Sequence, residues 1–184
     1  MTRFSAVAVL LTLSACRRSE PLPVYSSVGD FELTDQNGHA FHGRSLYGKI
    51  WVADFIYTQC PGPCPRMTSQ MHQVQQATEK MRDLNLVSFT VDPEHDSPAV
   101  LTAYAKAHHA QHDRWFFLTG GQAALNQLCL NAFKLGKVDG TLEHSTRFVL
   151  VDKKSQIRGY YDTSESGSIP KLIEDIHAVA REQS

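Results

Sequence analysis

The 184-residue sequence has no run of about 18 or more apolar residues, so it predicts no ordinary membrane-spanning helix. It has only 4 cysteines, too few for a disulfide-dense scaffold. Positive charge is not in excess either, because 18 Lys and Arg oppose 19 Asp and Glu. A nucleic-acid-binding protein needs a basic face, so we expect no nucleic-acid partner. The 42% apolar content suits one ordinary globular domain.

The N-terminus has the pattern of a bacterial lipoprotein signal. One cation, Arg3, precedes a short apolar run, and the run ends in Leu13-Ser14-Ala15-Cys16, which resembles a lipobox. The run is too short to span a bilayer, which favours a secretory signal. We therefore expect a signal peptide at residues 1–15 and lipidation of Cys16, which becomes the mature N-terminus.

The N-terminal signal also predicts the domain organisation and the location. The sequence after Cys16 is polar, contains prolines and has no periodicity, which is typical of a flexible tether over residues 16–27. Residues 28–184 then form the folded domain. We expect a protein of the bacterial cell envelope, anchored to a membrane by its N-terminal lipid, with its domain in the periplasm or otherwise outside the cytoplasmic membrane.

The folded part alternates strand and helix patterns, which predicts an α/β sandwich. Asn37-Gly38 between short alternating runs indicates an N-terminal β-hairpin. The apolar run from Ile50 to Tyr57 indicates a strand buried on both faces, followed by a helix ending near Arg82. Further elements are expected in chain order as a strand at 86–91, a helix from 98 to about 108, a strand at 115–118, a helix at 122–133, paired strands at 147–152 and 156–160, and a helix at 169–180.

Two cysteines lie where such a sheet builds its sites. Cys60 and Cys64 fall in a loop between the carboxyl end of a buried strand and a helix N-terminus. The helix dipole and the first-turn amides favour thiolates, so we expect both sulfurs to be good nucleophiles and good ligands for soft metals. A disulfide between them would close a very short loop, worth only about 2 kcal/mol, which favours a reversible redox pair over a structural bond.

Three segments resemble the motifs of the Sco/SenC copper chaperones. They are Asp54 to Pro65 (DFIYTQCPGPCP), Val91 to Pro98 (VDPEHDSP), and Glu143-His144-Ser145 before the strand at 148–152. The resemblance covers about residues 28–182 in the family's order and spacing. It implies a thioredoxin-like sandwich, here with the N-terminal β-hairpin and a peroxiredoxin-like helix and strand insertion. The Pro61-Gly62-Pro63 sequence departs from the family, whose members usually carry one proline followed by other side chains.

The resemblance also implies a copper site. Its ligands would be Cys60, Cys64 and His144, with the same two cysteines forming the redox disulfide. Two thiolates and one imidazole suit Cu(I), with Cu(II) as a further candidate. In a thioredoxin-like sheet the strand after His144 runs antiparallel to the cysteine strand, which would bring this histidine to the cysteines. Asp92 either orients His144 or contacts a partner, or else it only forms an Asp-Pro turn.

The function implied is that of a copper metallochaperone rather than an enzyme. It would deliver one copper ion to the dinuclear copper site of a cytochrome c oxidase subunit. An oxidising periplasm would oxidise the dithiol, so a periplasmic thiol reductant is expected as a second partner. Two alternatives stay open: a thiol-disulfide oxidoreductase that reduces a partner's copper-site disulfide, and a copper- or redox-responsive signalling module.

Other soft or basic side chains have ordinary structural explanations. Met67 and Met71 follow helical spacing and are expected in the core. His108, His109 and His112 suit the solvated end of a helix. Cys129 lies in an apolar run, where we expect a buried, inert thiol.

Overall fold

The computed structural model describes residues 20–135 and 145–182, so the predicted signal peptide, Cys16 and His144 lie outside the described residues. Within these two ranges, each helix is too short or too polar to cross a membrane. The strands are β1 (Ser26–Ser27), β2 (Glu32–Asp35), β3 (Ala40–His42), β4 (Ile50–Ile56), β5 (Leu84–Thr90), β6 (Trp115–Thr119), β7 (Arg147–Val151) and β8 (Gln156–Asp162). The helices are α1 (Cys64–Ala77), α2 (Pro98–Ala107), α3 (Gln122–Gln127) and α4 (Ser168–Glu182), with a 3-10 helix at Gly43–Leu46 and a π-helix at Leu128–Ala132.

The strands form one sheet in the order β1-β8-β7-β4-β5-β6-β2-β3. β4 pairs in parallel with β5 and antiparallel with β7, where Ala53 lies opposite Val149. The antiparallel neighbour expected from the sequence is therefore confirmed. The hairpin β2–β3 is confirmed as well, with Gly38 in its turn at φ +81°, a conformation that favours glycine.

The core lies on both faces of the sheet, and β4 shows how its sequence divides between them. Ile50, Val52 and Ile56 pack on the face covered by α1, α2 and α4. Trp51 and Phe55 pack on the opposite face, with the N-terminal hairpin, α3 and the π-helix. Every residue of β4 is buried, as its nearly continuous apolar run indicated. The α/β sandwich predicted from the sequence is confirmed.

Two helices differ from their predicted bounds. α1 ends at Ala77 rather than near Arg82, because the Thr78 hydroxyl donates to the Val74 carbonyl (2.6 Å) and the Arg114 guanidinium caps the carbonyls of Gln75 and Thr78. The predicted helix at 122–133 is α3 followed by the π-helix, where the Phe133 amide donates to the Leu128 carbonyl five residues back.

The sequence predicted a flexible tether over residues 16–27, and the structure corrects this prediction for residues 22–27. β1 pairs with β8, and the amide of Leu22 donates to Glu182 at the end of α4 (2.9 Å). The buried guanidinium of Arg158 donates to the carbonyls of Leu22 (2.6 Å) and Pro23 (3.1 Å). Residues 22–27 are therefore attached to the domain by backbone hydrogen bonds that a composition argument does not reveal.

We expect Arg158→Met to lower the free energy of unfolding by about 3 kcal/mol, because it removes the buried guanidinium that pairs with the fully buried Asp152 carboxylate (3.1 Å). Amide hydrogen exchange over residues 22–27 should also become faster. Urea denaturation with native-state exchange measures both effects. The control is Arg44→Met, which breaks the exposed ion pair with Asp30 and should leave the free energy of unfolding nearly unchanged. Equal losses in the two variants would contradict the attachment.

Candidate metal centre

The cysteines lie at the carboxyl end of β4, as the sequence predicted. Cys60 is held in the loop by its amide, which donates to the Tyr57 carbonyl (3.3 Å), and Cys64 is the first residue of α1. Both are free thiols. Cys60 is 8% exposed and Cys64 is fully buried, so any reagent or ion reaches the pair from the Cys60 side.

The first turn of α1 stabilises the thiolate of Cys60. Burial disfavours that charge, but hydrogen bonds from the thiol and amide of Cys64, from the Gly62 amide and from the Tyr57 hydroxyl together lower the pKa of Cys60. The Gly62 amide in the loop and the Cys64 amide at the start of α1 thus point toward the sulfur. The prediction of an activated thiol at this helix N-terminus is borne out for Cys60.

Cys64 behaves in the opposite way, and for this residue the prediction was wrong. Burial raises its pKa, and so does the hydrogen bond that its thiol donates to Cys60. The negative charges of Cys60 and Asp54 act in the same direction. The two sulfurs therefore share one hydrogen bond and lie in direct contact, one as acceptor and one as donor.

Tyr57 is a site residue that the sequence analysis missed. Burial and the hydrogen bond to Cys60 raise the pKa of its hydroxyl, so the phenol stays protonated and remains a donor to the sulfur. The available signal was its position, three residues before Cys60 at the strand end. An aromatic residue there also fits the apolar strand pattern, which concealed its polar role.

Asp96 is the second residue that was missed. Its carboxylate is 1% exposed and accepts hydrogen bonds from the hydroxyls of Thr58 (2.5 Å) and Thr90 (2.5 Å) and from the Thr58 amide (3.2 Å). Thr58 follows β4 and Thr90 ends β5, so this one side chain fastens together the two loops at the edge of the sheet. A loop aspartate has no sequence pattern that distinguishes this role from a turn.

Asp92 lies in a turn at the same edge. Its carbonyl accepts from the Asp96 amide (2.9 Å), and its carboxylate contacts Nδ1 of His95 (2.8 Å). This contact raises the pKa of His95. Asp92 therefore forms the Asp-Pro turn, one of the roles predicted for it. An interaction with His144 stays a prediction, because His144 lies outside the described residues.

A polar layer underlies Cys64 on the helical face of the sheet. The Cys64 carbonyl accepts from the Thr68 hydroxyl (2.9 Å), which also contacts the hydroxyl of Tyr104 (2.8 Å). Asp54 is fully buried in the middle of β4, and burial raises its pKa to about 7, with the neighbouring Ser88 hydroxyl opposing the rise. The groups beneath the sulfur pair, Asp54 and Tyr104, are therefore ones whose ionisation burial disfavours.

The remaining candidates have structural roles. Met67 and Met71 are fully buried in the core on the α1 face, and Cys129 is buried on the opposite face, where burial raises its pKa to about 11. The ring of His109 lies 6.1 Å from that of His72, and the ring of His108 lies 4.4 Å from that of Tyr104.

Residues 20–135 and 145–182 contain no group of three His, Cys, Asp or Glu side chains arranged to hold a metal ion. Two sulfur donors are present at the site, and the third predicted ligand is His144. The β4–β7 register places Arg147, the first residue of β7, toward the carboxyl end of β4. The start of β7 therefore lies beside the end of β4, at the edge of the sheet that carries the cysteines, as predicted.

Comparison with known proteins agrees with this architecture. The sequence model of the SCO1/SenC family matches residues 20–181. A SCO1 protein homolog of Bacillus subtilis is 31% identical over 183 residues, covering 96% of this chain and 95% of that protein.

Solved structures show the same fold. A SCO1/SenC family lipoprotein from Bacillus anthracis superposes with a TM-score of 0.77 at 30% identity, over 88% of this chain and 98% of that one. BsSco, described as a member of a family of cytochrome c oxidase assembly proteins with a disulfide switch, gives 0.76 at 31% identity, over 87% and 98%. Bradyrhizobium japonicum ScoI with copper bound gives 0.69 at 26% identity, over 84% and 99%. The chain belongs to the SCO1/SenC family and has its thioredoxin-like fold.

Proposed function

We propose that this protein is a copper carrier that binds one copper ion through Cys60, Cys64 and His144 and delivers it to the dinuclear copper site of cytochrome c oxidase. The observation that carries the proposal is the pair of sulfurs in mutual contact at a helix N-terminus, reachable from one side. Thiolates select soft ions such as Cu(I), and an imidazole completes a three-ligand set. The related ScoI with copper bound and the family described for BsSco support this assignment.

The same contact between the sulfurs also supports a redox switch. Thiol-disulfide exchange with an oxidised partner of the cell envelope would join Cys60 and Cys64 in a disulfide, pass two electrons and two protons to the partner's disulfide, and remove both copper ligands together. A thiol reductant in the cell envelope would restore the carrier by thiol-disulfide exchange. The disulfide switch described for BsSco is in keeping with this proposal.

We further propose that residues 1–15 are a lipoprotein signal peptide and that Cys16 is lipidated, which places the domain outside the cytoplasmic membrane. The related chain from Bacillus anthracis is described as a lipoprotein. Mass spectrometry of the protein extracted from membranes tests this proposal directly. The unmodified mass of the full chain would contradict it.

One observation favours the alternative of a thiol-disulfide oxidoreductase. Cys60 is the more accessible sulfur and Cys64 is fully buried behind it, an arrangement that suits an attacking and a resolving thiol. The two functions differ in their dependence on His144. Reduction of a partner's copper-site disulfide needs only the two cysteines, whereas copper binding needs the imidazole as well.

We expect the reduced protein to bind one Cu(I) ion tightly, and His144→Ala to weaken the affinity at least tenfold, about 1.4 kcal/mol. Cys60→Ser and Cys64→Ser should each abolish tight binding, because one sulfur ligand is lost. The measurement is an anaerobic titration against a competing chelator. Cys129→Ala is the matched control, since its sulfur lies on the other face of the sheet and should leave the stoichiometry unchanged. Binding that does not depend on His144 would support the oxidoreductase.

We expect Asp96→Ala to weaken Cu(I) binding severalfold although it removes no ligand, because the loops after β4 and β5 lose their common acceptor. The same chelator competition measures the effect at a temperature where the variant is folded. Ser97→Ala is the control: it removes the cap of α2 one residue away, so it should cost about 1 kcal/mol of stability while the copper affinity is retained. If both variants lose affinity equally, Asp96 does not position the site.

A further inference from the structure

A groove of about 490 Å³ lies at the end of the molecule opposite the cysteines. It lies between the segment after α1, the turn between β7 and β8 and the last turns of α4. Four basic side chains line it, together with His177, Met81, Ala180 and a single carboxylate, Asp83. The basic residues are Lys80, Arg82, Lys153 and Arg181. We call this the basic groove.

The basic groove has an excess of positive charge in a chain whose formal charge is −1. Asp83 is already paired with Lys153 (2.6 Å). The nearby Glu182 is engaged with Arg158 (2.5 Å) and with the Leu22 amide. Lys80, Arg82 and Arg181 are exposed, so their charges face solvent. A surface of this kind attracts anions, and phosphate groups in particular.

The position of the groove relative to the N-terminus indicates which anion it meets. The Leu22 amide is bound to Glu182, the residue after Arg181 of the groove. The chain upstream of Leu22 therefore leaves the domain beside the last turn of α4. If Cys16 carries the lipid, the six residue steps from Cys16 to Leu22 extend over at most about 21 Å. The attachment of residues 22–27 thus keeps this end of the domain close to the bilayer.

The cysteines are far from the same end. Both β4 and α1 run between the two ends, and the 14 residues of α1 span about 21 Å. Cys64 begins α1, whereas Lys80 and Arg82 follow its last turn. A domain that rests on the basic groove therefore presents Cys60 away from the membrane.

From the charge, the short connection and the position of α4, we infer that the basic groove binds anionic phospholipid headgroups and orients the anchored domain with its metal centre facing away from the bilayer. The inference rests on the proposed lipidation of Cys16. It goes beyond that proposal, because a lipid alone attaches the chain without choosing which face meets the membrane. Juxtamembrane Lys and Arg bind anionic surfaces in this way, and salt weakens the interaction.

Photocrosslinking of the lipidated protein in vesicles tests the orientation. The photoreactive residue is p-benzoylphenylalanine at His177, in the groove, and at Val100 on α2 as a control outside the groove. We expect crosslinks from position 177 to rise at least about fivefold when phosphatidylglycerol is added to phosphatidylcholine, and to fall back at about 1 M salt. Crosslinks from position 100 should not change.

Two charge-reversed variants of equal net charge complete the test. Lys80→Glu with Arg82→Glu should remove the phosphatidylglycerol-dependent crosslinks. Arg66→Glu with Arg147→Glu, at the end that carries the cysteines, should retain them. Equal crosslinking in both lipids, or equal loss in both variants, would overturn the inference. Flotation with the vesicles reports the lipid anchor separately.

If flotation fails, the test uses the mature chain 16–184 with Cys16→Ser, which is added to the same vesicles. Binding to phosphatidylglycerol vesicles that disappears with Lys80→Glu and Arg82→Glu would then support the headgroup site without the anchor. No binding would overturn it. Binding that is competed by inorganic phosphate alone would indicate a site for free phosphate rather than for a membrane surface.

Discussion

The parallel pairing of β4 with β5 is the constraint on which the rest of this structure depends. Parallel neighbours end at the same edge of a sheet, so the loop with Cys60 and the loop with Asp96 emerge side by side. Both strands are buried throughout, and their side chains supply the core of both faces. The burial of apolar surface in the sheet therefore also fixes where the two cysteines lie.

Three buried carboxyl groups, at Asp96, Asp152 and Asp54, are accommodated in different ways. The Asp96 carboxylate, at 1% exposure, accepts hydrogen bonds from three donors, the two threonine hydroxyls and the Thr58 amide. Asp152 is balanced by Arg158. For Asp54, burial raises the pKa to about 7, and the Ser88 hydroxyl opposes the rise. Asp96 therefore joins the loops after β4 and β5, whereas Asp152 holds the Arg158 guanidinium that reaches Leu22 and Pro23. Asp54 places a carboxyl group with a raised pKa beneath the sulfur pair.

The sequence was sufficient for the features that depend on hydrophobic pattern and local turn chemistry. The buried strand β4, the Asn37-Gly38 hairpin and the helix starting at the cysteines could all be predicted, because each has a periodicity or a turn residue of its own. The end of α1 could not, since Arg114 comes from more than 30 residues away. The role of Asp96 and the attachment of residues 22–27 were missed for the same reason. A long-range hydrogen bond has no local pattern.

The difference between Cys60 and Cys64 shows a second limit of such predictions. A helix N-terminus acts on both residues, and from the sequence both are expected to be acidic. In the structure their pKa values move in opposite directions. The Cys60 sulfur accepts several hydrogen bonds, which lower its pKa, whereas the Cys64 sulfur is more deeply buried and donates to Cys60, which raises its pKa. The asymmetry also applies to access. The sulfur of Cys60 is the one that a reagent or a partner thiol meets first, whereas the sulfur of Cys64 lies buried behind it.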